Sequence, residues 1–408
     1  MLVLDFYFFQ SLKTISQGAS PRARLIIYIS YWVISGGAVI ILLILPYLQF
    51  EQQNKLFRNT IFACIAGLFF AKLIASVFFL VDDVRRVIQW GAGKIFFSNT
   101  EGEGLQSGER ISRSVFLSWT GMLMGGGLFG SLLYGFGNKY KYQLKQFQLA
   151  FQNLPSSFKG LKIAHISDIH SGSFTEKSAV KKGVQKILDQ EPDIILFTGD
   201  LINNRSDEMD EYMDIFKVLK APLGVFSILG NHDYGDYTQW ETKEEKHQNL
   251  ERLKQVHAEL GWRLMLDENV VVDKDGEKIS LIGVQNISGK SRFKSYGDLS
   301  KAYTGVEKSH FKILMSHDPS HWDAEVRKNY PDIDLMLSGH THGMQFGVEI
   351  PGFKWSPVQY VYKQWAGLYN EGNQKLYVNR GFGFIGYPGR VGILPEISII
   401  ELGIKEKK

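Results

Sequence analysis

The chain has 408 residues, 22% of them charged and 44% hydrophobic, and a formal net charge of +4. That composition excludes a disordered or fibrous chain, and so mild a charge gives no reason to expect a nucleic-acid partner. The single cysteine, Cys64, excludes an internal disulfide and a thiolate zinc site, so any metal must sit on oxygen and imidazole ligands.

The N-terminal third reads as a membrane region. Residues 1–12 are apolar but short, carry Asp5 and lack a small-residue cleavage site, so they are read as an interfacial helix or part of a fourth span and not as a signal peptide. Residues 25–45 contain no charge and end at Pro46, 60–80 are interrupted only by Lys72, and 115–136 are apolar and glycine-rich. Each approaches the ~20 residues a helix needs to cross a bilayer. Gly121 with Gly125, and Gly126 with Gly130, have the small-residue spacing that lets helices approach closely, here within one chain. Lys72, costly inside a span, is expected to snorkel or to meet a phosphate or headgroup.

Basic residues set orientation. Lys13, Arg22 and Arg24 precede the first span, and Arg85, Arg86, Lys94, Arg110 and Arg113 lie between the second and third; the opposite loop holds Lys55 and Arg58. This puts the C-terminal half outside the cytoplasm, although Lys139, Lys141 and Lys145 pull the other way. The stretch 98–109, rich in Gly, Glu and Ser, reads as a surface loop.

From about residue 161 short apolar runs alternate with helical patterns, the signature of a layered α/β sheet. Strands are expected at 161–167, 194–198, 225–229, 270–272, 279–284, 312–315 and 333–337, with helices at 176–190, 207–220 and 244–260. Asp275-Gly276 reads as a hairpin turn, and the tail from Gln345 as mostly β. Polar residues gather where these strands end: Asp168 and His170, Gly199-Asp200, Gly230-Asn231-His232-Asp233, Ser316-His317-Asp318, and Gly339-His340-Thr341-His342. Ligands of open α/β folds collect beyond the carboxyl ends of strands. Five such segments bring Asp, Asn and His to one edge, a donor set suited to Mn, Fe or Zn and less to Ca. Two such ions about 3.5–4 Å apart can clamp a phosphoryl group and acidify a water, which requires a carboxylate shared between them. His165, within a strand, reads as a core residue.

These segments resemble the calcineurin-like metallophosphoesterase superfamily, whose pattern is DxH, GDxx, GNH(D/E), a separate His and GHxH; the match runs from about 161 to 402. The resemblance implies a fold in which N-terminal transmembrane helices precede a two-sheet α/β sandwich of βαββα type. It divides the chain into a membrane region over 1–140, a linker over 141–160 and a metallophosphoesterase domain over 161–408. By the same resemblance Asp168, His170 and His342 hold a first divalent metal, Asn231, His317 and His340 a second, and Asp200 bridges them. His232 contacts phosphate and aids the leaving group, Asp233 orients its ring, and Arg380 is a further phosphate contact. A hydroxide bridging the metals would attack a phosphodiester or pyrophosphate.

Asn203 stands where purple acid phosphatases carry a tyrosine ligand, and Asn203-Asn204 where protein phosphatases carry Asp-Arg. The chain is therefore most similar to the bacterial membrane-associated branch. The expected partners are membrane lipids and a lipid-linked or cell-envelope substrate. The rivals are a phosphomonoesterase or nucleotide phosphodiesterase with a mere anchor, and a non-catalytic signalling or transport protein. Phe353, Trp355, Tyr360, Tyr362, Trp365 and Tyr369 read as sheet core or, alternatively, as an aromatic rim touching lipid.

Overall fold

The computed structural model describes residues 1–44, 47, 55–96 and 113–405, which form two compact units, Met1–Tyr134 and Gly135–Lys408. Pro46, Arg110 and the stretch 98–109, each given a role above, lie outside the described residues.

The first unit is helical: α1 (Leu2–Ile15), α2 (Pro21–Ile44), α3 (Lys55–Phe96) and α4 (Arg113–Gly135). Among the described residues three stretches are long and apolar enough to cross a bilayer, Pro21–Ile44, Phe57–Gly91 and Ser114–Asn138. They contain or overlap the runs expected at 25–45, 60–80 and 115–136. At 1.5 Å per residue α3 is roughly 60 Å long, twice the ~30 Å hydrocarbon thickness. Its later part carries Asp82, Asp83, Arg85 and Arg86, joined by ion pairs.

Lys72 neither snorkels nor awaits a headgroup. Its ammonium is buried, 2.6 Å from Asp5 Oδ1 and 2.7 Å from Ser35 Oγ, with the Tyr31 ring centroid at 4.9 Å. The ion pair ties α1 to α3, and Tyr31 adds a 2.7 Å bond to the Asp5 carbonyl. Helix α1, read as interfacial or part of a fourth span, thus packs within the bundle. Removing one partner of a buried pair leaves an uncompensated charge, at a cost of about 3–5 kcal/mol. Asp5→Ala should therefore lower the melting temperature of the detergent-solubilised chain sharply, and Asp5→Leu combined with Lys72→Met should restore most of the loss. Equal melting of Asp5→Ala and the parent would contradict this. Glycine spacing works inside the chain: a Cβ at Gly121 or Gly125 would strike the backbone carbonyl of Ala75 or Ala71 on α3, whereas Gly126 and Gly130 have open space.

The second unit is a sandwich. One sheet has the order β1 (Gln143–Phe151), β14 (Glu396–Ile404), β2 (Lys162–Ile166), β3 (Ile194–Phe197), β4 (Val225–Ser227) and β5 (Arg263–Leu264). The other runs β12 (Gly367–Glu371), β13 (Gln374–Val378), β9 (Leu335–Ser338), β8 (Phe311–Met315), β7 (Glu277–Gly283) and β6 (Glu268–Lys274). Strands β2 to β5 are mutually parallel, as are β7, β8, β9 and β13. Alternation along each strand divides the core. In β3, Ile194 and Leu196 face the other sheet, with Ile163, Ile313 and Leu335, whereas Ile195 and Phe197 face outward. That outer face is covered by α5 (Lys177–Leu188), the short α6 (Met213–Phe216) and α7 (Lys243–Glu259) through Val184, Phe216 and Leu253. Trp322 and Val326 cover the far face of the second sheet.

Two expectations fail here. Residues 141–160 are not merely a linker, because they contain β1, paired in parallel with β14 along its whole length. The single helix expected at 207–220 breaks into a 3₁₀ turn at Ser206–Met209 and α6. Tyr212, between them, is pulled against Phe174 with ring centroids 5.2 Å apart. A further pair, β10 (Val348–Ile350) and β11 (Phe353–Trp355), forms a separate hairpin.

Candidate metal centre

All the ligand-type residues singled out in the sequence come together beyond the ends of β2, β3, β4, β8 and β9. The chain turns sharply at the exits of β2, β3 and β9. Asp168, His170, Asp200, His340 and His342 all have left-handed backbones, with φ between 50° and 71°. Such conformations cost about 1–2 kcal/mol for a residue with a Cβ and cluster at functional sites. The exits lock together by backbone bonds: Asp168 N–H donates to the Gly199 carbonyl at 2.9 Å and His170 N–H to that of Asp200 at 3.1 Å. Glycine is required at Gly339 and Gly230, where any Cβ would collide with the carboxylates of Asp168 and Asp200 respectively.

Two groups emerge. Asp168, His170 and His342 have ligand atoms within 4.8 Å of one another, and so do Asp200, His317 and His340. Asn231 joins the second group, its Oδ1 lying 3.1 Å from His317 Nε2 and 2.7 Å from His340 Nδ1. Asp200 belongs to both, because its Oδ2 is 3.5 Å from His170 Nε2 and 3.2 Å from His317 Nε2.

Donor chemistry suits divalent cations. Both ring nitrogens of His170 and Nε2 of His342 are buried without a hydrogen-bond partner, an expensive arrangement unless a cation takes the lone pairs. Burial pushes His170 down to about 3 and His340 to about 4, and it lowers His342 well below the usual range. All three are thus neutral imidazoles, the form that binds metal. Burial disfavours the Asp200 carboxylate, but the positive charge of His317, which Asp200 raises to about 10 against its own burial, outweighs it with a smaller contribution from His232 and holds Asp200 ionised. This pair thus carries a proton that a bound cation would displace.

Surrounding groups fix which nitrogen faces the centre. His317 Nδ1 meets the Thr198 carbonyl at 2.8 Å, leaving Nε2 inward. His340 turns Nδ1 inward while Nε2 contacts the Tyr362 hydroxyl at 2.8 Å, which donates in turn to Asp318 at 3.3 Å. Outer partners of this kind set ligand tautomer and basicity. Tyr237 accepts from Asn231 Nδ2 at 3.0 Å, which presents the amide oxygen, not the nitrogen, to the histidines.

Asp233 does not orient His232. Its buried carboxylate accepts backbone N–H bonds from Asp200, Leu201 and Gly230 at 2.8–2.9 Å and so shapes the loop carrying Asp200. His232 Nδ1 instead meets the Asn203 carbonyl at 2.8 Å. Arg380 is also buried, and ion pairs with Glu396 and Glu349 hold it. His165 is a core residue bonded to Thr198. Of the aromatic segment, Tyr362 and Trp365 are buried and Phe353 and Tyr360 exposed. Asp318 and Tyr362 stand in segments noted in the sequence but given no role beside the ligands, and Tyr237 and Arg292, which belong to no local motif, are not singled out there.

At the centre opens a cleft of about 280 Å³, whose lining includes His232 and Arg292 together with the apolar Met344, Val358, Val361 and Ile385. A two-sheet α/β sandwich with paired Asp/His clusters at its strand ends defines the class of layered metallohydrolases. The comparisons make this specific. Residues 161–344 match the calcineurin-like phosphoesterase model, and 1–138 match the model of a probable calcineurin-like phosphoesterase transmembrane domain. The metallophosphoesterase YkuE of Bacillus subtilis is 28% identical over 72% of this chain and 98% of its own length. Phosphodiesterase YaeI of Escherichia coli is 27% identical over 64% and 88%. The UDP-2,3-diacylglucosamine pyrophosphatase LpxG of Chlamydia trachomatis is 30% identical over 57% and 81%. The chain belongs to the calcineurin-like phosphoesterase family, as a membrane protein with a hydrolase domain.

Proposed function

We propose that the chain hydrolyses a phosphodiester or pyrophosphate carried on a lipid-linked or cell-envelope molecule, with two divalent metal ions held at the strand ends. The observation that carries this reading is the position of Asp200 Oδ2, one carboxylate oxygen within 3.5 Å of an imidazole from each ligand group. Asp168, His170 and His342 would hold one ion, Asn231, His317 and His340 the other, and Asp200 both. When bound, such a pair supplies Lewis-acid stabilisation of the phosphoryl oxygens and acidifies water.

The chain's own side chains do the rest. With Nδ1 engaged by the Asn203 carbonyl, His232 turns Nε2 to the cleft, where it can hold a proton against a phosphate oxygen and release it to the leaving oxygen. Arg292, exposed at the mouth, offers a guanidinium suited to the second charge of a pyrophosphate or diester. In the same cleft, Met344, Val358 and Val361 favour an apolar substituent. The relatives LpxG and YaeI are named as a UDP-2,3-diacylglucosamine pyrophosphatase and a phosphodiesterase, which supports this reading. The basic-residue balance described above favours an extracytoplasmic catalytic unit.

The test is turnover of a chromogenic phosphodiester by the detergent-solubilised full chain with added Mn. His232→Ala should lower kcat/KM roughly 10²–10⁴-fold, the usual contribution of general acid–base catalysis. Unchanged turnover would remove His232 from the reaction.

A further inference from the structure

The β10–β11 hairpin is inside out. Directly opposed residues of an antiparallel pair share a face. The register sets Val348 against Trp355 and Ile350 against Phe353 on one face, and Glu349 against Lys354 on the other. On the charged face Glu349 is half-buried and accepts from Arg380 at 2.8 Å, and Lys354, itself exposed, bends its ammonium back to donate to the Ala366 carbonyl. The apolar face turns out, with Ile350 58% and Phe353 53% exposed. It continues through Trp355, whose Nε1 is 3.4 Å from the hydroxyl of the exposed Tyr360, to Val361 and Met344, which line the catalytic cleft.

Scattered exposed apolar residues need no explanation, but contiguous patches mark interaction sites. Among the described residues this unit exposes ten large hydrophobic side chains, and seven of them fall within 344–368. The ion pair with Arg380 accounts for the orientation of Glu349, but folding alone gives no reason to point Ile350 and Phe353 outward.

We propose that this face seats on a lipid bilayer and brings the cleft mouth to headgroup depth. Three features of the chain favour a bilayer as the occupant. Only seven residues separate α4, an apolar helix of near-spanning length, from β1, a tether of at most about 25 Å. Trp355 and Tyr360 are of the residue types that favour the membrane interface. Lys290, over the Tyr362 ring, and Arg292, both near the same mouth, suit anionic headgroups. The inference rests on the proposed function only in taking the cleft as catalytic; a docked mouth would admit a phosphoester whose apolar part remains in the lipid.

The full chain in nanodiscs of phosphatidylethanolamine and phosphatidylglycerol provides the test. In a Cys64→Ser background, single cysteines are introduced as Ile350→Cys, Phe353→Cys or Val271→Cys and labelled with a small fluorophore. Val271 is an exposed control on β6, at the opposite edge of the second sheet from β12. Interfacial docking buries an apolar face about 5–10 Å into the headgroup boundary. Nitroxide-bearing lipids should therefore quench the labels at 350 and 353 well beyond the label at 271. Equal quenching at all three positions would overturn the proposal. Turnover of a soluble chromogenic phosphodiester by the same samples reports separately on the chemistry. Equal quenching with turnover retained overturns docking alone, and selective quenching without turnover in the unlabelled parent overturns the functional reading alone.

Discussion

Exchanging Asp200 for asparagine should lower phosphodiester turnover on the order of 10³-fold without unfolding the protein. Stabilisation of phosphoryl charge by bound cations is worth several kcal/mol, and each ~1.4 kcal/mol is a factor of ten. Asparagine preserves the size of the side chain. Its amide oxygen can still accept the 2.8 Å bond that Asp200 Oδ1 takes from the His232 backbone N–H, so the loop should stand. What disappears is the negative charge between His170 and His317. Steady-state kcat/KM with Mn, alongside a thermal melt, separates the two effects. A variant with parental melting and parental turnover would show that the shared carboxylate is not needed for the reaction.

Arg390→Ala should have the opposite profile, a large loss of stability from a residue with no part in binding substrate. The Arg390 guanidinium is wholly buried. Nη1 donates to the Arg380 carbonyl at 2.8 Å, and Nη2 donates to the carbonyls of Gly381, at 3.2 Å, and Gly383. Nη2 also lies 3.2 Å from His342 Nδ1. The side chain thus fastens the loop after β13 to the loop that carries His342. Burial pushes Arg390 down to about 9, so the group remains charged at neutral pH. Truncation would orphan several buried carbonyls, each worth about 1–3 kcal/mol, and leave a void. The expected net loss is on the order of 4 kcal/mol, read as a fall in denaturant midpoint. Arg390→Lys should recover little, because an ammonium cannot reproduce the planar fork of donors. Parental stability in Arg390→Ala would refute this account of the loop.

The candidate ligands were legible in the sequence because each follows a short apolar run and sits beside Gly or Ser where the chain must turn. The backbone chemistry of a strand exit is local, and so is its signature. Non-local pairings were not legible. Strand β1 reads QLKQFQLAF, with polar residues that resemble a linker, and its partner β14 is more than two hundred residues away. Lys72 finds Asp5 across 67 residues. Adjacency misled at His232 and Asp233, where successive side chains point apart and the carboxylate serves the backbone of the Asp200 loop. The β10–β11 segment read as aromatic sheet, but only the register and the burial together reveal that Ile350 and Phe353 share an exposed face.

Two ligand groups that share Asp200 should together hold two metal ions. The most direct measurement is the metal content of the purified full chain after Mn loading and removal of free metal, determined by elemental analysis for the parent and for Asp200→Asn. The account predicts two ions per chain in the parent, one for each cluster, and a clear fall in the variant. Retention of no more than one ion by the parent, or equal retention by both proteins, would contradict it.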